Sequence, residues 1–135
     1  MITYVLDSSA VLRYIDDEPG ADRLEEILSD CAGWRCNACL SAIQWGEIAG
    51  RLRQRLGADR QTEALGSLPS ELKVIAATDE RAVRAAALKV DRKIAYADAF
   101  AVELAVESKD HVLVTADYGF KAVEDLARIE FLPQK

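Results

Sequence analysis

Apolar and polar positions switch repeatedly along the chain between a two-residue period and a helical one. Ile2-Thr3-Tyr4-Val5-Leu6 is a β-branched and aromatic run that predicts a buried strand. Ser8-Ser9-Ala10-Val11-Leu12 predicts a short helix, ended by the break Asp16-Asp17-Glu18-Pro19-Gly20. Ala21 to Asp30 carries Leu24, Ile27 and Leu28 at helical spacing. Arg35 to Leu40 predicts a second strand, and Ser41 is placed to cap a helix reaching Leu56. Gly57 and Gly66-Ser67-Leu68-Pro69 bracket another helical piece, and Leu72 to Ile75 reads as a strand. Thr78 or Asp79 starts a helix with Ala82, Val83, Ala86 and Val90 along one face. Ala95 to Glu107 is an Ala-rich helix and His111 to Thr115 a buried strand. Gly119 to Leu126 predicts a short helix and Ile129 to Leu132 a last strand.

Strands interleaved with helices imply a sheet covered on both faces. The predicted class is α/β, a three-layer sandwich around a short, mostly parallel central sheet. At 135 residues the chain has the length of one domain, spanning 1–135, with a self-sufficient core. Hydrophobic residues make up 50% and charged residues 30%, which excludes a disordered chain. No apolar run approaches the ~20 residues of a membrane span. The first residues lack a basic region and turn acidic at Asp7, unlike a signal peptide, so the expected compartment is the cytoplasm.

The cysteines, Cys31, Cys36 and Cys39, are odd in number, which argues against a disulfide framework. Cys36-Asn-Ala-Cys39 has the spacing of a metal or redox pair. A structural zinc site needs four ligands, however, and only Cys31 and the lone His111 remain, so structural thiols are expected. The net charge of −6 has the wrong sign for steering to nucleic acid by the overall field. Cations loaded into an acidic site would reverse that sign where it matters.

The chemistry lies in the carboxylates. In open parallel sheets, sites form beyond the carboxyl ends of the strands. Two strands here run into an acid: Val5-Leu6-Asp7 and Val114-Thr115-Ala116-Asp117. An Asp between strand and helix also serves as an ordinary N-cap. Asp98 projects onto the face of Ala101, Val102 and Ala105, whereas Glu103 and Glu107 project onto the opposite face, where solvated acids belong. A first-turn Asp is favoured by the helix dipole, but that does not explain its choice of face. Glu47 sits off the apolar stripe of its helix beside Gly46 and Gly50. A solvated glutamate is the plain reading, yet two glycines in a helix interior suggest a close approach to the backbone. Four anions at one sheet edge repel unless divalent cations neutralise them, and oxygen-only ligands select Mg²⁺ or Mn²⁺. Phosphodiester hydrolysis is the chemistry best served.

The chain resembles the PIN-domain ribonucleases, in particular the VapC-like toxins of toxin–antitoxin pairs. The resemblance runs through Val5-Leu6-Asp7-Ser8-Ser9-Ala10 and Ser41-Ala42-Ile43-Gln44-Trp45-Gly46-Glu47-Ile48. It continues through Ile94-Ala95-Tyr96-Ala97-Asp98-Ala99 and Val114-Thr115-Ala116-Asp117-Tyr118-Gly119-Phe120. It implies that Asp7, Glu47, Asp98 and Asp117 are catalytic and hold the metal, with Ser9 and Thr115 as supporting hydroxyls. It further implies Mg²⁺-dependent cleavage of RNA (Mn²⁺ substituting), a homodimer, and inhibition by a cognate antitoxin that occludes the groove. Tyr118-Gly119 is a mild variation on the family's pattern.

Arg51, Arg53 and Arg55 are candidate RNA-phosphate contacts, or else a solvated helix face. Two rivals stand beside the nuclease. An aspartyl-phosphate enzyme would use Asp7 as nucleophile, but Ser9 occupies the place where haloacid-dehalogenase phosphatases carry a second Asp. A non-catalytic RNA- or protein-binding module on the same fold would have no reason to keep all four acids. No Ser-His-Asp arrangement accompanies His111, and the glycines form no phosphate-cradling loop.

Overall fold

A computed structural model describes residues 1–135. Five strands, β1 (Thr3–Leu6), β2 (Asn37–Ser41), β3 (Lys73–Ile75), β4 (His111–Thr115) and β5 (Ile129–Phe131), form one sheet in the order β3-β2-β1-β4-β5. Every pairing is parallel, with Thr3 opposite both Asn37 and His111. The helices are α1 (Ser8–Ile15), α2 (Ala21–Ala32), α3 (Ala42–Leu56), α4 (Ala58–Gly66), α5 (Asp79–Arg92) and α6 (Tyr96–Ala105).

Period-two alternation divides the strands between two cores. Leu6, Ala38, Leu40 and Val114 pack on one face with Leu24, Ile27 and Leu28 of α2 and Ile48 and Leu52 of α3. Val5, Cys39 and Leu113 turn to the other face, against Ala101, Val102 and Ala105 of α6 and Phe120 and Val123. Helices thus cover both faces of a parallel sheet, which gives the three-layer α/β sandwich expected. All three cysteines are buried and free, and burial pushes their thiols up, Cys39 to about 11, so they are held as inert thiols.

This order has a functional consequence. The chain leaves β1 toward β2 on one side and returns to β4 on the other, so the β1–β4 boundary is the topological switch point of the sheet. Crevices in open parallel sheets form outside the strand ends at such a point. Asp7 and Asp117 lie just beyond those two ends.

Three expectations need correction. The segment after Asp117 is a 3₁₀ turn over Tyr118–Val123, shorter than the helix expected to Leu126. In α5 the covered positions are Ala82, Ala85 and Leu88, while Val83 and Val90 are 70% and 73% exposed. Small alanines let α5 pack on α6, and that requirement outweighs the burial of two valines. Glu103, expected in solvent, is 3% exposed, because α5 covers the face of α6 that projection assigned to water. Arg81 reaches both Glu103 oxygens at 2.9 and 3.1 Å, and Arg84 adds a third contact at 2.9 Å. No helix is long and apolar enough to cross a membrane.

Candidate active site

Each acid is delivered by a different element. Asp7 follows β1 and caps α1: its Oδ1 accepts the Ala10 N–H at 3.0 Å. The capping and site readings of this residue are therefore compatible. It is also buried, with 3% exposure. Two hydroxyls complete its shell, Ser9 Oγ donating to Oδ1 at 2.7 Å and Thr115 Oγ1 to Oδ2 at 2.8 Å. Those hydroxyls in turn accept backbone donors, Ser9 from Ala116 N–H and Thr115 from Asp117 N–H, both at 2.9 Å.

Asp117 caps the 3₁₀ turn, its Oδ1 accepting the Gly119 N–H at 2.8 Å. A Cβ at Gly119 would lie 3.0 Å from that oxygen, so a side chain there would press the carboxylate aside by a few tenths of an ångström. Asp98 stands half-buried in the first turn of α6, whose N-cap Ala95 offers no side-chain bond. Glu47 is exposed on α3 and accepts from Ser8 Oγ at 3.2 Å. At Gly46 and Gly50 no atom of another element lies within 4 Å of where a Cβ would be, so the close approach expected there is not made within the chain and this face of α3 is open.

The four acids and Ser9 line one groove of about 520 Å³. Thr115, fully buried, lies beneath it. Arg51 and Arg55 line the same groove, whereas Arg53 does not. Arg55 is committed to Asp16 through two bonds of 2.8 and 2.7 Å, and Arg13, which also lines the groove, donates to the Pro19 and Pro133 carbonyls, so Arg51 is the groove arginine with neither an ion pair nor a hydrogen bond.

Electrostatics couple the acids. Burial pushes the Asp7 carboxyl from 3.8 up to about 6, against the opposing bonds from Ala10, Ser9 and Thr115; the Asp98 charge adds to the rise. Asp98 is also raised to about 6, first by burial and then by the charges of Asp117 and Glu47. A cation would relieve both. The donors are all oxygen, which fits a hard divalent ion such as Mg²⁺ or Mn²⁺. No three of these groups close on one ion-sized point as they stand; Glu47 and Asp117 are the exposed pair.

Residues 4–126 match the PIN-domain family. The chain belongs to the PIN-domain family. Among solved structures, this PIN domain is similar to VapBC2 from Rickettsia felis bound to a promoter DNA fragment. The two are 17% identical with a TM-score of 0.75, over 98% of this chain and 100% of that one. VapBC from Salmonella typhimurium, also bound to DNA, is 21% identical with a TM-score of 0.71 (97% and 98% covered). VapC20 from Mycobacterium tuberculosis, a sarcin-ricin-loop-cleaving toxin, is 20% identical with a TM-score of 0.68 (89% and 94% covered). At these identities the likeness is one of fold. No curated protein matches the chain.

One contributor escaped the sequence reading. Gln44 is 1% exposed and bonds the backbone on both sides of the groove, to Ser8 N–H and Ala97 C=O. Neither apolar spacing nor charge marks it out.

Proposed function

We propose that this PIN domain is a Mg²⁺-dependent endoribonuclease, the toxin of a toxin–antitoxin pair. The observation that carries the reading is the gathering of Asp7, Glu47, Asp98 and Asp117 in one groove, with Asp7 and Asp98 both raised to about 6. Perturbed carboxyls clustered in a cleft mark a site that spends stability on chemistry. Membership of the PIN family and the VapC-type neighbours support a nuclease of the toxin kind.

Asp7, Asp98, Glu47 and Asp117 would hold the metal, with Mn²⁺ an acceptable substitute. When bound, the ion supplies activation of water and stabilisation of charge on the departing oxygen. Ser9 and Thr115 fix the Asp7 carboxylate by donating to both its oxygens, so its orientation does not depend on the substrate. Gly119 N–H holds the Asp117 carboxylate. Arg51 faces the groove and is free to meet an RNA phosphate.

The VapBC complexes among the neighbours support an antitoxin as partner; its occlusion of this groove is part of the proposal. A homodimer and a cytoplasmic location complete the proposal. The test is incubation of the purified protein with structured RNA in Mg²⁺, Mn²⁺ or EDTA, beside Asp7→Asn. Discrete cleavage that needs metal and vanishes in the mutant is the expected result. RNA binding without cleavage in any metal, by folded protein free of antitoxin, would overturn the nuclease in favour of a binding module.

A further inference from the structure

Gln44 lies in the first turn of α3, three residues before Glu47, and its side chain is buried. Its Oε1 accepts the Ser8 N–H at 2.6 Å, and its Nε2 donates to the Ala97 carbonyl at 2.8 Å. Ser8 follows Asp7 in the chain, and Ala97 precedes Asp98. One amide therefore ties the backbone beside the first acid to the backbone beside the third, from the helix that carries the second.

The local chemistry calls for such a group. Ser8 opens α1, so its N–H has no acceptor within the helix, and the Asp7 carboxylate takes the N–H of Ala10 instead. Ala97 lies in the first turn of α6, whose N-cap Ala95 makes no side-chain bond. A primary amide offers an acceptor and donors on one rigid plane. An ionised carboxylate of the same shape could accept from Ser8 but not donate to Ala97. It would also add a negative charge beside four others.

We propose that Gln44 is a positioning residue that sets the separation of Asp7, Glu47 and Asp98, and through it the groove's affinity for a divalent cation. The inference rests on reading the groove as a cation-dependent nuclease site. A packing role alone would make Gln44 matter for stability and leave metal binding unaffected.

The experiment is calorimetric titration of Mn²⁺ into the wild type, Gln44→Met, Gln44→Asn and, as a control, Ile27→Ala. Apo melting temperatures and RNA kcat and KM are measured alongside. Ile27 lies on α2, buried in the core away from the groove. Met fills the volume without the bonds, and Asn keeps the amide but shortens its reach. Both Gln44 variants are expected to bind Mn²⁺ about 10–100-fold more weakly, with the loss falling on kcat and RNA KM within about twofold. Ile27→Ala is expected to melt lower and bind Mn²⁺ like the wild type. A folded Gln44 variant with wild-type Mn²⁺ affinity overturns the inference while leaving the nuclease reading intact. A wild type that takes up no Mn²⁺ overturns both.

Discussion

Thr115 Oγ1 donates to Asp7 Oδ2 at 2.8 Å while accepting the Asp117 N–H at 2.9 Å, so one hydroxyl joins the acids at the ends of β1 and β4. Ser9 makes the matching relay on the other Asp7 oxygen, between that carboxylate and Ala116 N–H. Thr115→Val keeps the shape and removes the hydroxyl. It strands a buried carboxylate oxygen and a backbone donor, at a cost of ~1–3 kcal/mol. The expected outcome is a lower melting temperature and RNA cleavage reduced more than tenfold. Wild-type values in both assays would strip Thr115 of its supporting role.

The raised carboxyls set a pH dependence whose sign is unusual for acids. Asp7 and Asp98 rise from 3.8 to about 6, so the folded protein holds their protons more tightly than the unfolded chain does. Their stabilising contribution is complete below about pH 4 and lost as pH rises through about 6. In metal-free buffer, Asp98→Asn should melt about 3 °C above the wild type at pH 7.5 and level with it at pH 4. A variant that melts lower at pH 7.5 would show that Asp98 is not under repulsion.

Arg51 and Arg53 offer a comparison within one helix. Only Arg51 lines the groove. In an Asp7→Asn background, Arg51→Ala should weaken RNA binding and lower the slope of log K against log salt by about 1. Arg53→Ala should leave both unchanged. Equal effects from the two would point to a diffuse basic face instead of a groove contact.

Glu103 anchors α5 to α6 through Arg81 and Arg84. Glu103→Ala removes the buried carboxylate and leaves the largely covered Arg81 with only its Glu107 partner, at a cost of roughly 3 kcal/mol. Urea unfolding should show this as a lower midpoint with an unchanged slope. A loss below ~0.5 kcal/mol would mean the pairs are as weak as ordinary surface ion pairs.

The parts of the site legible in the sequence were those where burial and polarity conflict. Asp7 ends an apolar strand, and Asp98 stands among alanines and valines on its helix, so each breaks a pattern. Glu103 breaks a pattern too, but the projection that singled out Asp98 assigned Glu103 to water. That rule assumes one covered face, and α6 is covered all round from Ala99 to Ala105. The covered side of α5 was missed for a related reason. Apolar spacing favours Val83 and Val90, whereas close packing on α6 favours the small Ala82 and Ala85. Gln44 was invisible because its role depends on Ser8 and Ala97, 36 and 53 positions away. No local pattern encodes a bond across that distance.

The pairing of β1 with β4 also governs when the groove can exist. Asp7 is made 108 residues before the hydroxyl that bonds its second oxygen. A nascent chain lacking β4 has β1 paired on one edge only, with β2, and an Asp7 carboxylate without the hydroxyl on its second oxygen. Such a chain cannot assemble the site, so the ribosome that makes this protein holds no finished groove until nearly all of the sheet has been translated. The parallel order of the strands thereby acts as a delay: the site closes only with the fourth of the five strands to be made.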